Sequence, residues 1–298
     1  MKAVASQMAL PPTVLDAASL RHTLLSVSPT DYLIRAGAAS MLIAEGEGLA
    51  GWVRRIVPEN WLRGATLDSQ EAAEHSSWTT LLGGLLQAPG VNWLSRAGAI
   101  SKAENKATQL AVAETLGIRV PRTVITNDRN AVLTMFPGEV VVKPLGKGSF
   151  TSGHTGKVLF AKLLDAESLT SDSLGKAPFI FQEHLRALSH WRIVTVNEGA
   201  WAARLDARGV SLDWRRDDTA HESFVLGHPP TETLLLAAMI ANAFGLGYSS
   251  QDWIETSSGF YFLDLNPSGQ WLFLPEAVGK QVTASIAAWL SSKGSWGP

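Results

Sequence analysis

The sequence predicts an α+β fold, because hairpin-forming strand pairs alternate with helices and no regular strand–helix–strand repeat is present. Residues 192–205 contain two apolar runs joined by turn-forming residues at 197–199. Residues 250–265 contain two further runs around turn residues at 256–259. A strongly apolar helix is predicted at 231–244, between the two hairpins. This order is typical of an α+β protein, not of a doubly wound parallel sheet.

Composition excludes several classes of function. The chain has 298 residues, of which 46% are hydrophobic and 17% charged, as in an ordinary soluble globular protein. It has no cysteine, which excludes disulfides, thiolate nucleophiles and cysteine-ligated metals. The net charge of -2 lacks the basic excess of nucleic-acid-binding proteins. No apolar run has membrane-spanning length and the N-terminus has no cleavage pattern, so we expect a cytoplasmic protein without nucleic-acid or membrane partners.

Local patterns divide the chain into three parts. Residues 1–98 contain short strand-like runs and a predicted helix at 71–86, which indicates a small N-terminal α/β domain. We expect a central subdomain at 99–180 and a C-terminal subdomain at 181–298.

A helix is predicted to open the central part. The Ser-x-x-Glu pattern at 101–104 predicts a capping box, and the helix is expected to end at Leu116 with Gly117 as its C-cap. The other elements are predicted from apolar runs and the turn residues beside them: strands at 120–126, 139–143 and 179–183, and helices at 129–136 and 278–290.

The second hairpin carries three oxygen-bearing side chains that indicate a metal site. Asp264 and Asn266 share one face of a strand because side chains alternate, and the turn brings Asp252 near them on the partner strand. Two neighbouring carboxylates repel each other unless a cation lies between them, and an all-oxygen set suits Mg²⁺. The alternative is a hairpin whose polar residues face solvent.

Basic and glycine-rich features indicate a polyphosphate site. Lys143 ends a valine-rich strand and is followed by Gly146, Gly148 and Ser149, so a fixed cation lies beside a loop whose N–H groups can approach phosphate oxygens. The loop matches neither the P-loop nor the Rossmann pattern. Lys106 is expected in the first turn of the capped helix, where an anion would offset its repulsion by the helix dipole. The alternatives are a surface loop and a solvated lysine.

Two further groups complete the candidate site. Gln182, Glu183 and Leu185 end a strand after the glycine loop, where a hinge between lobes would hydrogen-bond adenine. Arg192 and Arg204 lie at the ends of adjacent hairpin strands, and an interior arginine there requires an anionic partner. A surface position for either arginine is the alternative.

The order of these features resembles the ATP-grasp superfamily from about Ser101 to Leu290. The closer resemblance is to the ATP-grasp ligases that mature ribosomal peptides, the graspetide or microviridin type, with ribosomal-protein glutamylation ligases as relatives. It implies an ATP-grasp fold with a small N-terminal α/β pre-grasp domain. The stretches that carry it are 52–55, 105–110, 116–123, 126–128, 213–215 and 263–271.

The resemblance implies a role for each candidate residue. Lys106, Lys143 and the loop with Gly146, Gly148 and Ser149 would bind the phosphates of ATP, and the segment 182–185 would bind adenine. Asp252, Asp264 and Asn266 would bind Mg²⁺, although the family usually has Glu at the position of Asp264. Arg192 and Arg204 would stabilise the γ-phosphate and an acyl phosphate, and Arg215 would contact an acidic substrate side chain.

The implied reaction activates Asp or Glu side chains of a precursor peptide, with leader and core, as acyl phosphates. Attack by hydroxyl or amine side chains then gives ester or amide crosslinks that close macrocycles. A homodimer is left open. One alternative is a ligase of the same fold acting on a small molecule or a protein tail, and another is a nucleotide- or peptide-binding module that has lost ligation.

Overall fold

The computed structural model describes most of the chain. The described residues are 2–10, 12–16, 20, 23–28, 31–36, 39–44, 48–55, 68–146, 149–152, 155–175, 177–217 and 219–292. None of the helices in these ranges has the length and hydrophobicity needed to span a bilayer.

The N-terminal part combines short strands with one long helix. Its elements are α1 (Lys2–Ala5), β1 (Thr23–Val27), β2 (Asp31–Ala36), β3 (Ala39–Ala44), β4 (Leu49–Gly51), α2 (Gln70–Leu85) and β5 (Val91–Trp93). Strands β1, β2 and β3 form an antiparallel sheet, and β4 pairs with β5 in parallel. Ile34, Ile43 and Leu85 are buried together between the sheet and α2. The helix predicted at 71–86 is confirmed.

The single helix predicted from the capping box is wrong, because two helices are present. These are α3 (Ala97–Ala103) and α4 (Lys106–Thr115). Ser101 lies inside α3, and Asn105 caps α4 by accepting a hydrogen bond from the N–H of Thr108 at 3.0 Å. Asparagine is a preferred N-cap residue, so the chain breaks its helix there. Lys106 is therefore the first residue of α4.

The end of α4 is as predicted. Gly117 has φ +69, a conformation that glycine adopts without strain. The N–H groups of Gly117 and Ile118 donate to the carbonyl oxygens of Glu114 and Ala113, both at 2.9 Å, which satisfies carbonyl groups that the helix end leaves free.

The central part is an antiparallel sheet with the strand order β10-β7-β11-β6. Its elements are β6 (Thr123–Thr126), α5 (Arg129–Met135), β7 (Glu139–Pro144), the hairpin β8 (Ser149–Ser152) and β9 (Thr155–Val158), β10 (Lys162–Asp165), α6 (Ser171–Leu174) and β11 (Phe179–Glu183). Val132 and Phe136 of the α5 region pack on Val140 and Phe181 of the sheet. The alternation of strand side chains leaves Lys143 and Gln182 on the opposite face, toward the C-terminal part.

The C-terminal part is an antiparallel sheet with the order β14-β13-β12-β15-β16, covered by one helix on each face. Its elements are β12 (Ser189–Val196), β13 (Gly199–Asp206), β14 (Val225–Gly227), α7 (Thr231–Ala243), β15 (Tyr248–Thr256), β16 (Gly259–Asn266) and α8 (Glu276–Ser291). Helix α7 packs with Trp191 and Trp253, and α8 packs on the other face with Val194 and Leu205. Both predicted hairpins and the α+β class are confirmed.

The first helix packs far from its neighbours in sequence. Val4 of α1 is fully buried in the same cluster as Val282 and Ile286 of α8. The two ends of the chain therefore stabilise one core, a contact that no local pattern predicts.

Candidate active site

Two connected cavities lie between the central and C-terminal sheets. The larger has a volume of about 240 Å³ and is lined by the segment 182–185. The smaller, of about 160 Å³, is lined by Lys106, Asp252 and Asp264. Both cavities are lined by the same six residues where they meet: Lys143, Ala161, Gln182, His190, Leu212 and Leu263. The candidate site is thus a continuous cleft.

The register of the β15–β16 hairpin brings the predicted oxygen ligands together. Asp252 lies opposite Asp264, and Ser250 lies opposite Asn266, so all three predicted ligands share one face. The Oδ1 atom of Asn266 accepts a hydrogen bond from the N–H of Ser268 at 2.8 Å, which fixes the amide beside the strand end.

Each of the two carboxylates is paired with a different cation. Nζ of Lys106 lies 2.8 Å from Oδ2 of Asp264, and Nη1 of Arg192 lies 2.7 Å from Oδ1 of Asp252. The Arg192 side chain is only 10% exposed, and its guanidinium lies 5.7 Å from the ring centre of Trp214. Its Nε has no hydrogen-bond partner among the described residues. The buried guanidinium thus has one unpaired donor, which a neighbouring anion would satisfy.

The side chain of Gln109 joins α4 to β16 by hydrogen bonds. Its Nε2 donates to the carbonyl oxygens of Ala103 at 2.6 Å and Leu265 at 2.7 Å, and its Oε1 accepts from the N–H of Leu265 at 2.8 Å. Gln109 is one helical turn after Lys106 and Leu265 follows Asp264. These three bonds therefore fix the spacing of the Lys106–Asp264 pair.

Lys143 projects into the cleft from β7 and is strongly desolvated. Burial lowers the pKa of Lys143 to about 8, with Lys106 acting in the same direction and Asp264, Asp252 and Asp213 opposing. An anion bound nearby would therefore stabilise the protonated form of Lys143, because an opposite charge favours that form.

The segment 182–185 is held by Thr123 of β6 and by Arg122, which precedes that strand. Gln182 is buried, and its Nε2 donates to Oγ1 of Thr123 at 2.9 Å. Glu183 accepts from the backbone N–H and from Nε of Arg122, both at 2.9 Å. Leu185 lines the larger cavity.

Arg215 reaches the smaller cavity from a short 3₁₀ helix, Trp214–Arg216, that Asp213 caps. Nε and Nη2 of Arg215 lie 2.7 Å and 2.6 Å from the two oxygens of Asp213, a bidentate pair. Asp213 also accepts from the N–H of Ala161 at 3.0 Å. The hydrogen bonds and charge of Arg215 hold the pKa of the buried Asp213 below its usual value despite desolvation. Arg215 remains 55% exposed and lines the smaller cavity.

Not every predicted site residue is brought to the cleft. Arg204 pairs in register with Trp191, so it lies on the α7 face of the sheet, opposite to Arg192. Gly146 lines the smaller cavity. Gly148 lies outside the described residues, and Ser149 is the first residue of β8.

The sequence assigned no role to two residues of the cleft. His190 stands within an apolar strand and belongs to no recognisable motif, and Gln109 falls within the family-like stretch 105–110 without any role being implied for it. Knowledge of the strand register and of the α4–β16 contact is needed to find them.

The donor set of the hairpin fits a hard divalent cation. Asp252 and Asp264 use one carboxylate oxygen each in their ion pairs, so each retains capacity for a further ligand. Mg²⁺ is commonly bound by one or two carboxylates plus phosphate oxygens and water.

No protein-family model matches the chain, and no curated protein matches it. Solved structures do match over nearly its whole length. A RiPP-associated ATP-grasp ligase of Chryseobacterium gregarium, in complex with ADP and a leader and core peptide, has a TM-score of 0.84 at 18% identity, covering 97% of this chain and 92% of that one.

Two macrocyclases of Microcystis aeruginosa MRC are also similar. MdnC, bound with precursor peptide MdnA, has a TM-score of 0.79 at 21% identity, with coverage of 97% and 93%. MdnB has a TM-score of 0.74 at 23% identity, with coverage of 97% and 94%. At these identities the likeness establishes the fold. The chain has the ATP-grasp fold, as the order of its motifs predicted.

Proposed function

We propose that this protein is an ATP-dependent ligase that crosslinks side chains of a ribosomal precursor peptide. The observation that carries the proposal is the convergence of Lys106, Lys143, Asp252, Asp264 and Arg215 on one cleft between the two sheets. The similar structures with bound ADP and with leader and core peptides support the same class of substrates.

The nucleotide is proposed to lie along the cleft. Adenine occupies the larger cavity against the segment 182–185, and the phosphates extend toward Lys143 and Lys106 in the smaller cavity. Arg192, with its unused Nε, lies beside Asp252 and neutralises charge on the transferred phosphoryl group. Arg204 has no part in this assignment because it lies on the other face of the sheet.

Asp252, Asp264 and Asn266 are proposed to hold Mg²⁺. The ion supplies charge neutralisation for the phosphates. The protein side chains supply position: Gln109 fixes Lys106 against Asp264, and Arg192 orients Asp252.

The peptide is proposed to enter beside Arg215. Its bidentate bond with Asp213 orients the guanidinium, and the exposed edge is suited to a substrate carboxylate. That carboxylate attacks the γ-phosphorus of ATP, which gives an acyl phosphate and releases ADP. A hydroxyl or amine of the same peptide then attacks the acyl carbon, loses its proton and releases phosphate, which leaves an ester or an amide.

The proposed cellular location and domain organisation are those expected from the sequence. We place the enzyme in the cytoplasm, without nucleic-acid or membrane partners, and propose residues 1–98 as the pre-ATP-grasp domain, with the ATP-grasp subdomains at 99–180 and 181–298. A homodimer is the oligomeric state to test, by light scattering.

The decisive experiment incubates the protein with ATP, Mg²⁺ and candidate precursor peptides and follows peptide mass and ADP together. We expect the loss of one water and the release of one ADP for each bond formed. The matched control is the same peptide with its core Asp and Glu residues replaced by Asn and Gln, which should give neither. ADP release with an added small molecule or protein tail, and unchanged peptide mass, would contradict the peptide assignment.

A further inference from the structure

His190 is a buried imidazole at the centre of the cleft that the reaction described above does not use. It lies on β12 between Leu205 and Ile254 on the neighbouring strands, and it is 9% exposed. It is two residues before Arg192, so both side chains project from the same face of the sheet.

The position of His190 marks the junction of the two cavities. It lines both of them, together with Lys143 and Gln182. A nucleotide whose base contacts the segment 182–185 and whose phosphates reach Lys106 must cross this junction. The sugar connects the base to the phosphates, so the sugar is the part that lies over His190.

The chemistry of the ring suits a hydroxyl group. No protein hydrogen bond to the His190 imidazole is found within the described part of the chain, and its exposed edge opens into the cleft. Burial lowers the pKa of His190, with Asp252 and Asp213 opposing and Lys143 acting in the same direction, and this favours the neutral form of the ring. A neutral imidazole offers one donor and one acceptor. The adjacent Lys143 is the better partner for phosphate because it is a cation.

We propose that His190 hydrogen-bonds a ribose hydroxyl of the nucleotide and thereby makes the enzyme prefer ribonucleotides to deoxyribonucleotides. This inference rests on the proposed nucleotide site and adds a specificity-determining residue to it.

The test compares the binding of ADP, 2′-deoxy-ADP and 3′-deoxy-ADP by calorimetry in the presence of Mg²⁺. The unmodified protein should bind ADP on the order of tenfold more tightly than at least one deoxy analogue, as expected for one hydrogen bond in a desolvated site. In His190→Phe that preference should vanish, because ADP binding weakens while binding of the analogue does not change. His190→Gln, which keeps a donor and an acceptor, should retain part of the preference. His228→Phe, an exposed histidine on the surface, is the matched control and should behave as the unmodified protein.

The outcomes separate this inference from the ligase proposal. Equal binding of ADP and both analogues by the unmodified protein, or an unchanged preference in His190→Phe, overturns the role of His190 even if crosslinked peptide is made. A preference that disappears in His190→Phe supports it even if no peptide is modified, in which case the ligase proposal alone fails. The measurement on the unmodified protein and the polar variant His190→Gln keep the test valid if His190→Phe does not fold.

Discussion

The amino group of Lys106 lies 2.8 Å from Oδ2 of Asp264, so a candidate phosphate ligand is ion-paired with a candidate metal ligand. Asp252 is paired in the same way with Arg192 at 2.7 Å. The two carboxylates are thus balanced by two cations before any nucleotide arrives. A divalent cation gains little from a neutral site, whereas the phosphates of a nucleotide restore the negative charge that attracts it. Metal binding should therefore depend on bound nucleotide.

Replacement of Lys106 by methionine tests this dependence. Without the ammonium group, Asp264 attracts a cation more strongly, so Lys106→Met should bind Mn²⁺, used as a probe for Mg²⁺, on the order of tenfold more tightly in the absence of nucleotide. ADP binding should weaken at the same time. Free Mn²⁺ is measured by electron paramagnetic resonance. Lys162→Met, which removes an exposed lysine on β10, serves as control. Unchanged Mn²⁺ affinity in Lys106→Met would show that the ion pair does not govern the metal.

The placement of the three candidate metal ligands on one face was predictable because it is local. The turn after β15 and the alternation of side chains are enough to bring Asp252, Asp264 and Asn266 onto one face, as the register shows. The strand predicted at 179–183 coincides with β11 for the same reason: a short run of aromatic and β-branched residues favours a strand whatever distant elements do.

The position of Arg204 shows where such reasoning fails. A three-residue turn at 197–199 would place Arg204 opposite Arg192, but the turn has two residues, and Val196 pairs with Gly199. This shift of one residue moves Arg204 to the other face of the sheet. The contacts of Gln109 and His190 were also unpredictable, since each depends on elements far apart in sequence.

Removal of either of the two proposed metal ligands on β16 should abolish turnover without unfolding the protein. Asp264→Ala and Asn266→Ala each delete an oxygen from the proposed Mg²⁺ site, and a loss of at least about a hundredfold in kcat is expected from the lost stabilisation of transferred charge. Asp264 is 31% exposed, so the change is compatible with folding, to be checked by circular dichroism. Glu198→Ala, at the exposed turn after β12, should retain full activity. Full activity in both site variants would refute the metal assignment.

Nucleotide binding should weaken as pH rises through the pKa of Lys143. That pKa is about 8 because burial disfavours the charged amine. Below pH 8 the lysine is protonated and attracts phosphate, and above it the charge is lost, so the Kd for ADP in metal-free buffer should rise up to about tenfold per pH unit. Lys143→Arg keeps its charge throughout and should flatten the profile. A slope that persists in Lys143→Arg would assign the titration to another group.

The same burial predicts that the stability of the protein increases as pH rises, whereas its nucleotide binding weakens. The folded-state pKa of about 8 is below the ordinary value of 10.5, so the folded protein binds fewer protons than the unfolded chain between these values, and stability should increase with pH across that window. Lys143→Met removes the desolvated charge. It should therefore raise the melting temperature at pH 7 and abolish ADP binding.

Gln109 should be needed for both stability and turnover. Gln109→Leu leaves the N–H and carbonyl of Leu265 and the carbonyl of Ala103 without their partners in a buried position, which should lower the free energy of unfolding by about 3 kcal/mol. Loss of these hydrogen bonds should also reduce kcat, because Lys106 is no longer held against Asp264. Urea unfolding and steady-state kinetics measure the two effects. Gln87→Leu, at an exposed turn, should change neither, and normal kinetics in Gln109→Leu would refute the positioning role.

A side chain at position 269 should be tolerated only if the side chain of Ser250 is removed as well. A Cβ at position 269 would lie 2.4 Å from Cβ and 2.9 Å from Oγ of Ser250, distances that force the turn after β16 to move. That turn carries Asn266 and is anchored by the hydroxyl of Tyr248, which donates to the carbonyl of Gly269 at 2.7 Å. Gly269→Ala should therefore weaken Mn²⁺ binding in the presence of ADP. Ser250→Gly removes both clashing atoms, so the double variant should bind Mn²⁺ more tightly than Gly269→Ala alone, as a double-mutant cycle would measure. Additive effects of the two substitutions would instead show that the close approach does not set the position of Asn266.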